Sequence, residues 1–505
     1  MRTIIVGAGS SGGALAARLS ENPAHEVLLL EAGPDYPADD LVPPSILDPY
    51  NISEDHDAGH RAYFLEPVAE REDQPYPRGR VVGGSGSVNA AIAQRGSVED
   101  FDRWVSLGNT EWSWEAVLPY YRRLESDADF PDSDVHGAEG PVPIRRRPRS
   151  EWPAGVLAYE QSVIERGYKE CADLNAPGAS GIGPLPRNQV GEIRASSLVT
   201  YLRAARDRPN LTIRPDSMVR RVLFAGTRAT GVELLLADGS AETVTGDRVV
   251  LSAGAISSPQ ILMLSGIGAR DTLTAFGIEP VVLLEGVGRN LRDHPFIPVF
   301  GVLKEENPSV GVRAELKFAS AAGEHDDLML FPAVLEASAM NLPADTAGRK
   351  ALTLVCLLAK PDSVGWLTLS STDPRVSPEI HMNYLSAPRD EQRLAQCLRL
   401  AWDIATTSPV AEHYEEILFP SQEVLDNEEN LSAWMRSIIT TAYHAVGTCR
   451  MGPDGDDGAV VDQHLRVRGV ENLWVVDASV MPDITTGLTN LTAYMLGERA
   501  AEWLT

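Results

Sequence analysis

Residues 3–31 read TIIVGAGSSGGALAARLSENPAHEVLLLE. Thr3-Ile4-Ile5-Val6 is a short, mostly β-branched run, the pattern of a buried strand. Gly7-Ala8-Gly9-Ser10-Ser11-Gly12 follows at once, and Gly13 to Leu19 has helical composition and spacing. Glu26 to Leu30 reads as a second strand that ends on Glu31. Strand, G-x-G-x-x-G turn, helix, strand and acid stand in register as a β-α-β dinucleotide-binding unit. Gly7 permits the tight turn, Gly9 lets the backbone approach a pyrophosphate, and Gly12 lets the helix pack on the strand. The helix N-terminus offers N–H groups and partial positive charge to the phosphates. Glu31 is placed to accept hydrogen bonds from a ribose. This stretch alone does not separate FAD from NAD.

The bulk properties narrow the class. A chain of 505 residues has room for two to four domains and a sizeable core. Its net charge of −27 and pI near 4.8 argue against a nucleic-acid partner. The apolar run Leu352 to Ala359 is too short to span a bilayer, and the glycine-broken N-terminus does not read as a signal peptide. Cys171, Cys356, Cys397 and Cys449 are scattered, with neither metal-ligand spacing nor a disulfide framework, so no metal site is expected and a reducing cytoplasm is the simplest setting.

Working outward, residues 34–79 form a long irregular excursion that carries His56, His60 and Arg61. Its length suits a cover over a cofactor or a substrate entrance as well as a surface insertion. Arg78 to Asn89, RGRVVGGSGSVN, exposes successive N–H groups between flanking arginines, a composition able to form an anion-binding concavity. Helices are expected over 99–125, 152–170 and 196–205, and strands over 211–214, 219–224, 229–236 and 248–252. The last strand runs into Ala253-Gly254-Ala255-Ile256-Ser257-Ser258, a second small-residue turn before a helix. In GVGRNLRDHP (286–295), His294 reads as structural, because Asp293 and Pro295 suit a hydrogen-bonded turn. From Phe296 to about Ile380 the texture is that of a sheet, and 388–407 and 430–438 return to helix. YHAVGTCRMG (443–452), the strand 472–476, DASVMP (477–482) and TGLTN (486–490) precede a final helix over 491–503.

GAGSSGG, RGRVVGGSGSVN, GAISSPQILMLSGIG (254–268), GVGRNLRDHP and the C-terminal blocks occur together and in order, and on them the chain resembles the glucose-methanol-choline (GMC) oxidoreductases. The resemblance implies a mixed α/β fold, p-hydroxybenzoate-hydroxylase-like: an FAD/NAD(P)-binding Rossmann-like domain with a substrate domain on an antiparallel sheet. The expected FAD-binding segments are 1–150, 190–295 and 440–505, with 151–189 and 296–439 as the substrate domain. It implies FAD, expected to be non-covalent because no histidine stands in Gly83–Asn89. The residues carried over to the cofactor are Gly7, Gly9, Ser10, Ser11, Gly12, Glu31, Ala32, Arg80, Gly83, Gly84, Ser85, Asn89, Val219, Ala253, Asp477, Ala478 and Thr489. The active-site pair carried over by motif position is His444 and Asn490, although other members often have Asn where Leu488 stands.

The implied reaction is oxidation of an alcohol by hydride transfer to flavin N5. His444 is the base, and the Asn490 amide holds the alcohol oxygen. A helix N-cap is the rival role for Asn490. His60 and Arg61 are the candidate substrate contacts, on which the substrate leans to a sugar or C-glycoside hydroxyl. A primary or aryl alcohol is the alternative, including the chemistry of mycofactocin-associated members. The electron acceptor is O₂ or another carrier that no residue identifies, and the alternative class is a flavin-containing lyase.

Overall fold

β-Branched and leucine-rich runs sort the chain into two sheets of different kind. The computed structural model describes residues 1–50, 53, 55–66, 72–305, 308–323, 325–336 and 348–505, so parts of the 34–79 excursion lie outside the described residues. In chain order the strands used below are Arg2–Val6 (β1), Glu26–Leu30 (β2), Gly181–Pro184 (β3), Leu211–Arg214 (β4), Arg248–Leu251 (β5), Pro295–Leu303 (β6), Ala314–Phe318 (β7), Leu328–Glu336 (β8), Lys350–Leu358 (β9), Tyr414–Phe419 (β10) and Leu473–Val475 (β11). The helices are Ser10–Leu19 (α1), Ala154–Glu165 (α2), Gly254–Leu264 (α3), Pro388–Thr406 (α4) and Asn490–Leu504 (α5).

The first sheet is parallel, in the order β4-β2-β1-β5-β11. Ile4 pairs with Leu28 on one side and Val249 on the other, and these central residues are sealed from solvent. Burial on both faces explains why the strands read as continuous apolar runs rather than alternating ones. The tips of β1, β5 and β11 lead into the three small-residue turns of the sequence, so chain positions near 7, 253 and 477 meet at one sheet edge. A Cβ on Gly12 would lie 2.0 Å from the Gly7 carbonyl oxygen, so only glycine lets α1 approach β1 this closely.

Met218–Ala225, Arg228–Leu235 and Ala241–Thr245 form a separate antiparallel sheet. The third of these strands went unread in the sequence because AETVT is polar and mostly exposed. The expected helix over 196–205 is instead a π-helical turn, Leu198–Leu202, followed by Arg203–Ala205.

The second large sheet is antiparallel and eight-stranded, with a main path β10-β6-β9-β8-β7-β3. Its pleat divides the apolar residues. Ile297, Leu354, Cys356, Leu328, Leu330 and Leu316 join the main core, beside residues of α4 and α2. The residues between them point to the opposite face. The C-terminal helix α5 closes back on the start of the chain: Ser11 Oγ donates to the Ala493 carbonyl at 2.6 Å, and Arg18 pairs with the buried Glu498 at 2.9 Å. The excursion after β2 runs back along the 78–89 segment, through Ser53 N–H to Val88 O (3.1 Å), Ala58 N–H to Arg78 O (2.9 Å) and Arg80 N–H to His56 O (2.7 Å). Among the described residues no helix is long and apolar enough to cross a membrane.

A buried ion cluster ties the loops around 125–173 together. His136 lies 2.7 Å from Glu125 and 2.8 Å from Asp173, and Arg146 pairs with Asp127 (3.0 Å) and Asp173 (2.7 Å). The cluster thus brings its own cations to its carboxylates. Burial lowers the affinity of His136 for a proton, but the two carboxylates outweigh it and raise the pKa to about 9. A folded-state pKa above the ordinary 6.5 gives stability that is complete below that value and lost as pH rises through about 9. Raising pH from 7 to 10 is therefore expected to remove roughly 2–3 kcal/mol. In His136→Gln, the melting temperature should fall less over this interval than in the parent; an equal fall would refute the assignment.

Candidate active site

The chemistry gathers around one buried carboxylate. Asp293 Oδ1 accepts the backbone N–H groups of His294 and His444, both at 2.7 Å. Its Oδ2 accepts hydroxyls from Tyr76 (2.7 Å), Tyr384 (2.8 Å) and Thr441 (2.5 Å). Five donors thus bring the 76–80 segment, the turn before β6, the strand end near 384 and the 441–445 loop to one point. Arg78 donates from its guanidinium to the Tyr443 carbonyl, and Tyr443 sits at φ 63°, a strained value for a residue with a side chain. The strain falls immediately before His444.

The two imidazoles meet directly. His294 Nδ1 lies 3.0 Å from His444 Nδ1, and His294 Nε2 lies 3.0 Å from the Thr485 carbonyl oxygen. Burial lowers the pKa of both rings to about 3; the neighbouring His444 adds to this for His294, and Arg78 adds to it for His444. Both are therefore neutral near pH 7, with one N–H each. A carbonyl only accepts, so His294 Nε2 carries its proton and His294 Nδ1 is bare. That bare nitrogen takes the N–H of His444 Nδ1, which leaves the lone pair of His444 on Nε2. Among the described residues Nε2 has no hydrogen-bond partner, and the His444 side chain is only partly buried.

The glycine turns build a cradle at the edge of the parallel sheet. Gly83 N–H donates to the Ala8 carbonyl at 2.9 Å. Gly84, at φ +55°, passes so close to Gly9 that an added Cβ would lie 2.7 Å from the Gly9 Cα. The start of α1 has no side-chain cap and no acid in its first turn, so its N–H groups and positive end face the cradle. Beside them Asn490 Oδ1 accepts the Ser10 hydroxyl at 2.7 Å, while Asn490 Nδ2 is a buried donor without a partner. An uncapped helix end with an orphaned amide donor fits an anionic phosphate group.

Two family models, both described as GMC oxidoreductase, match residues 1–296 and 361–497. The chain is 35% identical over 526 residues to 5-(hydroxymethyl)furfural oxidase of Methylovorus sp. (strain MP688), covering 99% of this chain and 97% of that protein. It is 34% identical to mitochondrial choline dehydrogenase of Homo sapiens, over 99% of this chain and 89% of that one. Among solved structures, pyridoxine 4-oxidase from Mesorbium loti superposes with a TM-score of 0.90 at 30% identity, covering 99% of this chain and 98% of that one. The chain belongs to the GMC oxidoreductase family. It is accordingly an FAD-dependent oxidoreductase acting on CH–OH donors.

In this GMC fold Gly7, Gly9, Ser10, Ala32, Ser85, Asn89, Ala253, Ala478 and Thr489 are only partly buried. Gly12, Gly83 and Gly84 are buried. Glu31 is sealed: its oxygens accept the N–H groups of Ala8 (2.9 Å) and Gly33 (3.0 Å), and burial pushes its carboxyl up to about 7. Arg80 is exposed and donates to the Ala32 carbonyl at 3.2 Å. Asp477 is fully used by the protein, accepting from Gly254 N–H (2.9 Å), Ser258 (2.6 Å) and Ser479 (2.5 Å), and so locks the β11 tip to α3. Val219 is buried where the pairing of its strand slips register.

Several expectations are corrected by the geometry. Among the described residues Asn490 makes no hydrogen bond to His444; it is the first residue of α5 and accepts the Ser10 hydroxyl at the start of α1, with Thr489 at the cap position. The ring that meets His444 is His294, whose turn is hydrogen-bonded as expected. The Ser11 hydroxyl is spent on α5, leaving only its N–H for a phosphate. His60 is buried against Ser377 (3.2 Å), and Arg61 is a surface residue paired with Asp73 (2.7 Å), so neither joins the His444 site. Asp293, Tyr76, Tyr384 and Thr441 were not anticipated as parts of the site.

Proposed function

We propose that this GMC oxidoreductase converts an alcohol to a carbonyl compound with His444 as the base. The observation that carries the reading is the bare Nε2 of His444, fixed by the proton order Thr485–His294–His444. In the reaction the C–H hydride takes two electrons from carbon, the O–H proton passes to His444 Nε2, and the C–O bond becomes a carbonyl. FAD, when bound, is the acceptor of the hydride and is reoxidised by O₂ or another carrier. The α1 N–H groups and Asn490 Nδ2 would hold the pyrophosphate, and the Glu31 carboxylate would hold the ribose. The cofactor is held without a covalent bond, in the segments 1–150, 190–295 and 440–505. Four free cysteines support a reducing cytoplasm. With His60 against Ser377 and Arg61 paired with Asp73, a sugar hydroxyl is left without those two expected contacts.

Anaerobic mixing of the FAD-loaded enzyme with alcohols tests this reading. Bleaching of the oxidised flavin is expected, whereas a lyase leaves the absorbance unchanged. Asn490→Ala separates the phosphate role from the alcohol role. A lost hydrogen bond to a charged group is expected to weaken FAD retention by roughly 10–100-fold. The limiting rate of flavin reduction at saturating FAD should change by less than about threefold. Normal FAD retention with collapsed reduction would return Asn490 to the alcohol oxygen.

A further inference from the structure

Resting on the reading of His444 as base, we propose that Lys360 and Asp100 are positioning residues for that base. They clamp the Thr485 carbonyl that sets the proton order of the histidine pair. The backbone groups on either side of Thr485 are taken one by one. Trp104 Nε1 donates to the Asp483 carbonyl at 3.0 Å, and the Lys360 ammonium donates to the Ile484 carbonyl. Asp100 Oδ2 accepts the Thr486 N–H at 2.8 Å and the Thr486 hydroxyl at 2.7 Å. The Thr486 N–H and the Thr485 carbonyl belong to one planar trans peptide and point in opposite directions. By holding the N–H, Asp100 aims the carbonyl the other way, where His294 Nε2 lies at 3.0 Å. Lys360 fixes the preceding peptide plane, so Thr485 is held from both sides.

The clamp is ionic and spans the two large sheets. Lys360 follows β9 of the antiparallel sheet by two residues and lies 3.1 Å from Asp100 and 3.3 Å from Asp483. Asp100 is buried and also caps the helix Val98–Ser106, accepting the Ser97 N–H at 2.8 Å. Arg292 (3.3 Å) and Arg103 (3.7 Å) stand on Asp483. Burial disfavours the charge on Lys360, but Asp483 and Asp100 outweigh it and raise its pKa, so the ammonium persists. Lys360, Asp100, Asp483 and Thr486 line a cavity of about 620 Å³. A lysine there has water within reach, yet this one spends its ammonium on a backbone carbonyl. Its charge also reaches the ring: burial, His444 and then Lys360 lower the His294 pKa, against Asp293. If the Thr485 carbonyl swings away, His294 Nε2 loses the acceptor that holds its proton there. The proton then sits on His294 Nδ1 and is donated to His444 Nδ1, and the His444 proton moves to Nε2, which is no longer a base.

The test is ¹⁵N NMR of the FAD-loaded enzyme carrying labelled histidine, with the His444 signals assigned by their loss in His444→Gln. Wild type should show a bare Nε2 and a protonated Nδ1 at His444. In Lys360→Met the proton should redistribute towards Nε2. With benzyl alcohol as the probe, the limiting rate of flavin reduction should fall roughly 10–100-fold, with the half-saturating concentration little changed. If benzyl alcohol does not bleach the wild type, the NMR comparison decides alone. Lys360→Arg keeps the charge and the N–H donors and should restore the wild-type pattern. Thr486→Val removes only the hydroxyl bond to Asp100 and should give the same change in smaller measure; it carries the test if Lys360→Met loses its flavin. A merely structural role would lower flavin content or melting temperature and leave the His444 tautomer alone. An unchanged tautomer in a flavin-loaded Lys360→Met overturns the clamp and leaves His444 as the base. A protonated Nε2 in the wild type removes the base reading, and the clamp with it.

Discussion

Replacing His444 with alanine is expected to slow flavin reduction by roughly 10²–10⁴-fold, the usual range for loss of a positioned base, while FAD stays bound. The alcohol proton has no comparable acceptor: Asp293 has five donors on it, and the ring nitrogens of His294 are both engaged. The proposed phosphate site is built from α1 and α5, away from the His444 loop, so the substitution is expected to leave FAD retention intact. The pH profile adds an independent check. With the pKa of His444 held at about 3 by burial and Arg78, the base is already neutral across pH 5–8, and reduction at low substrate should be flat there. A limb centred near 6.5 would mean an ordinary, solvated imidazole. The sign for stability runs the other way. Both rings have folded-state values below 6.5, so protons bind preferentially to the unfolded chain, and stability falls as pH drops from about 6.5 towards 3. Near-normal reduction by His444→Ala would defeat the assignment outright.

The cofactor half of the molecule was legible because its signals are local. Gly12 and Glu31 act on neighbours within a β-α-β unit, where spacing along the chain is spacing in space. The parallel strands were legible for the same reason, as uninterrupted apolar runs. Of the catalytic half the motif marked His444, but not the groups around it, because their contacts join distant positions. His294 and His444 are 150 residues apart, and Asp293 collects side chains from near 76, 384 and 441. No periodicity carries that information. Asn490 shows the other limit. Its motif places it next to the active-site loop, yet one turn of backbone decides whether position 488 or position 490 faces the base. Here Leu488 joins the apolar cluster of the sheet, and Asn490 turns to Ser10. The exposed pair Arg61–Asp73 misled for a simpler reason: polar residues on a long loop look available until their partners are seen.

Asp293→Ala is expected to be the most damaging single substitution for stability. The carboxylate is 3% exposed and, among the described residues, has no ion-pair partner, so its charge is supported by hydrogen bonds alone. Removing it leaves two backbone N–H groups and three hydroxyls facing a small cavity. Unsatisfied buried donors cost roughly 1–3 kcal/mol each, but the hydroxyls can rotate or relax, so a total near 3–5 kcal/mol is the expectation. The backbone donors cannot rotate, and they belong to His294 and His444. The loss therefore also frees the catalytic loop, where Tyr443 is held at φ 63° against its preference. A shift of about 1 Å at a base can cost roughly 10²-fold in rate, and His294 would no longer fix which nitrogen of His444 carries the proton. Asp293→Asn distinguishes the two effects. Its carbonyl oxygen can serve one side while its NH₂ faces donors on the other, so it should melt between wild type and Asp293→Ala yet remain slow in flavin reduction. Thermal melting followed by flavin release, together with stopped-flow reduction, gives both readings. Wild-type melting in Asp293→Ala would show that the five hydrogen bonds hold neither the fold nor the loop.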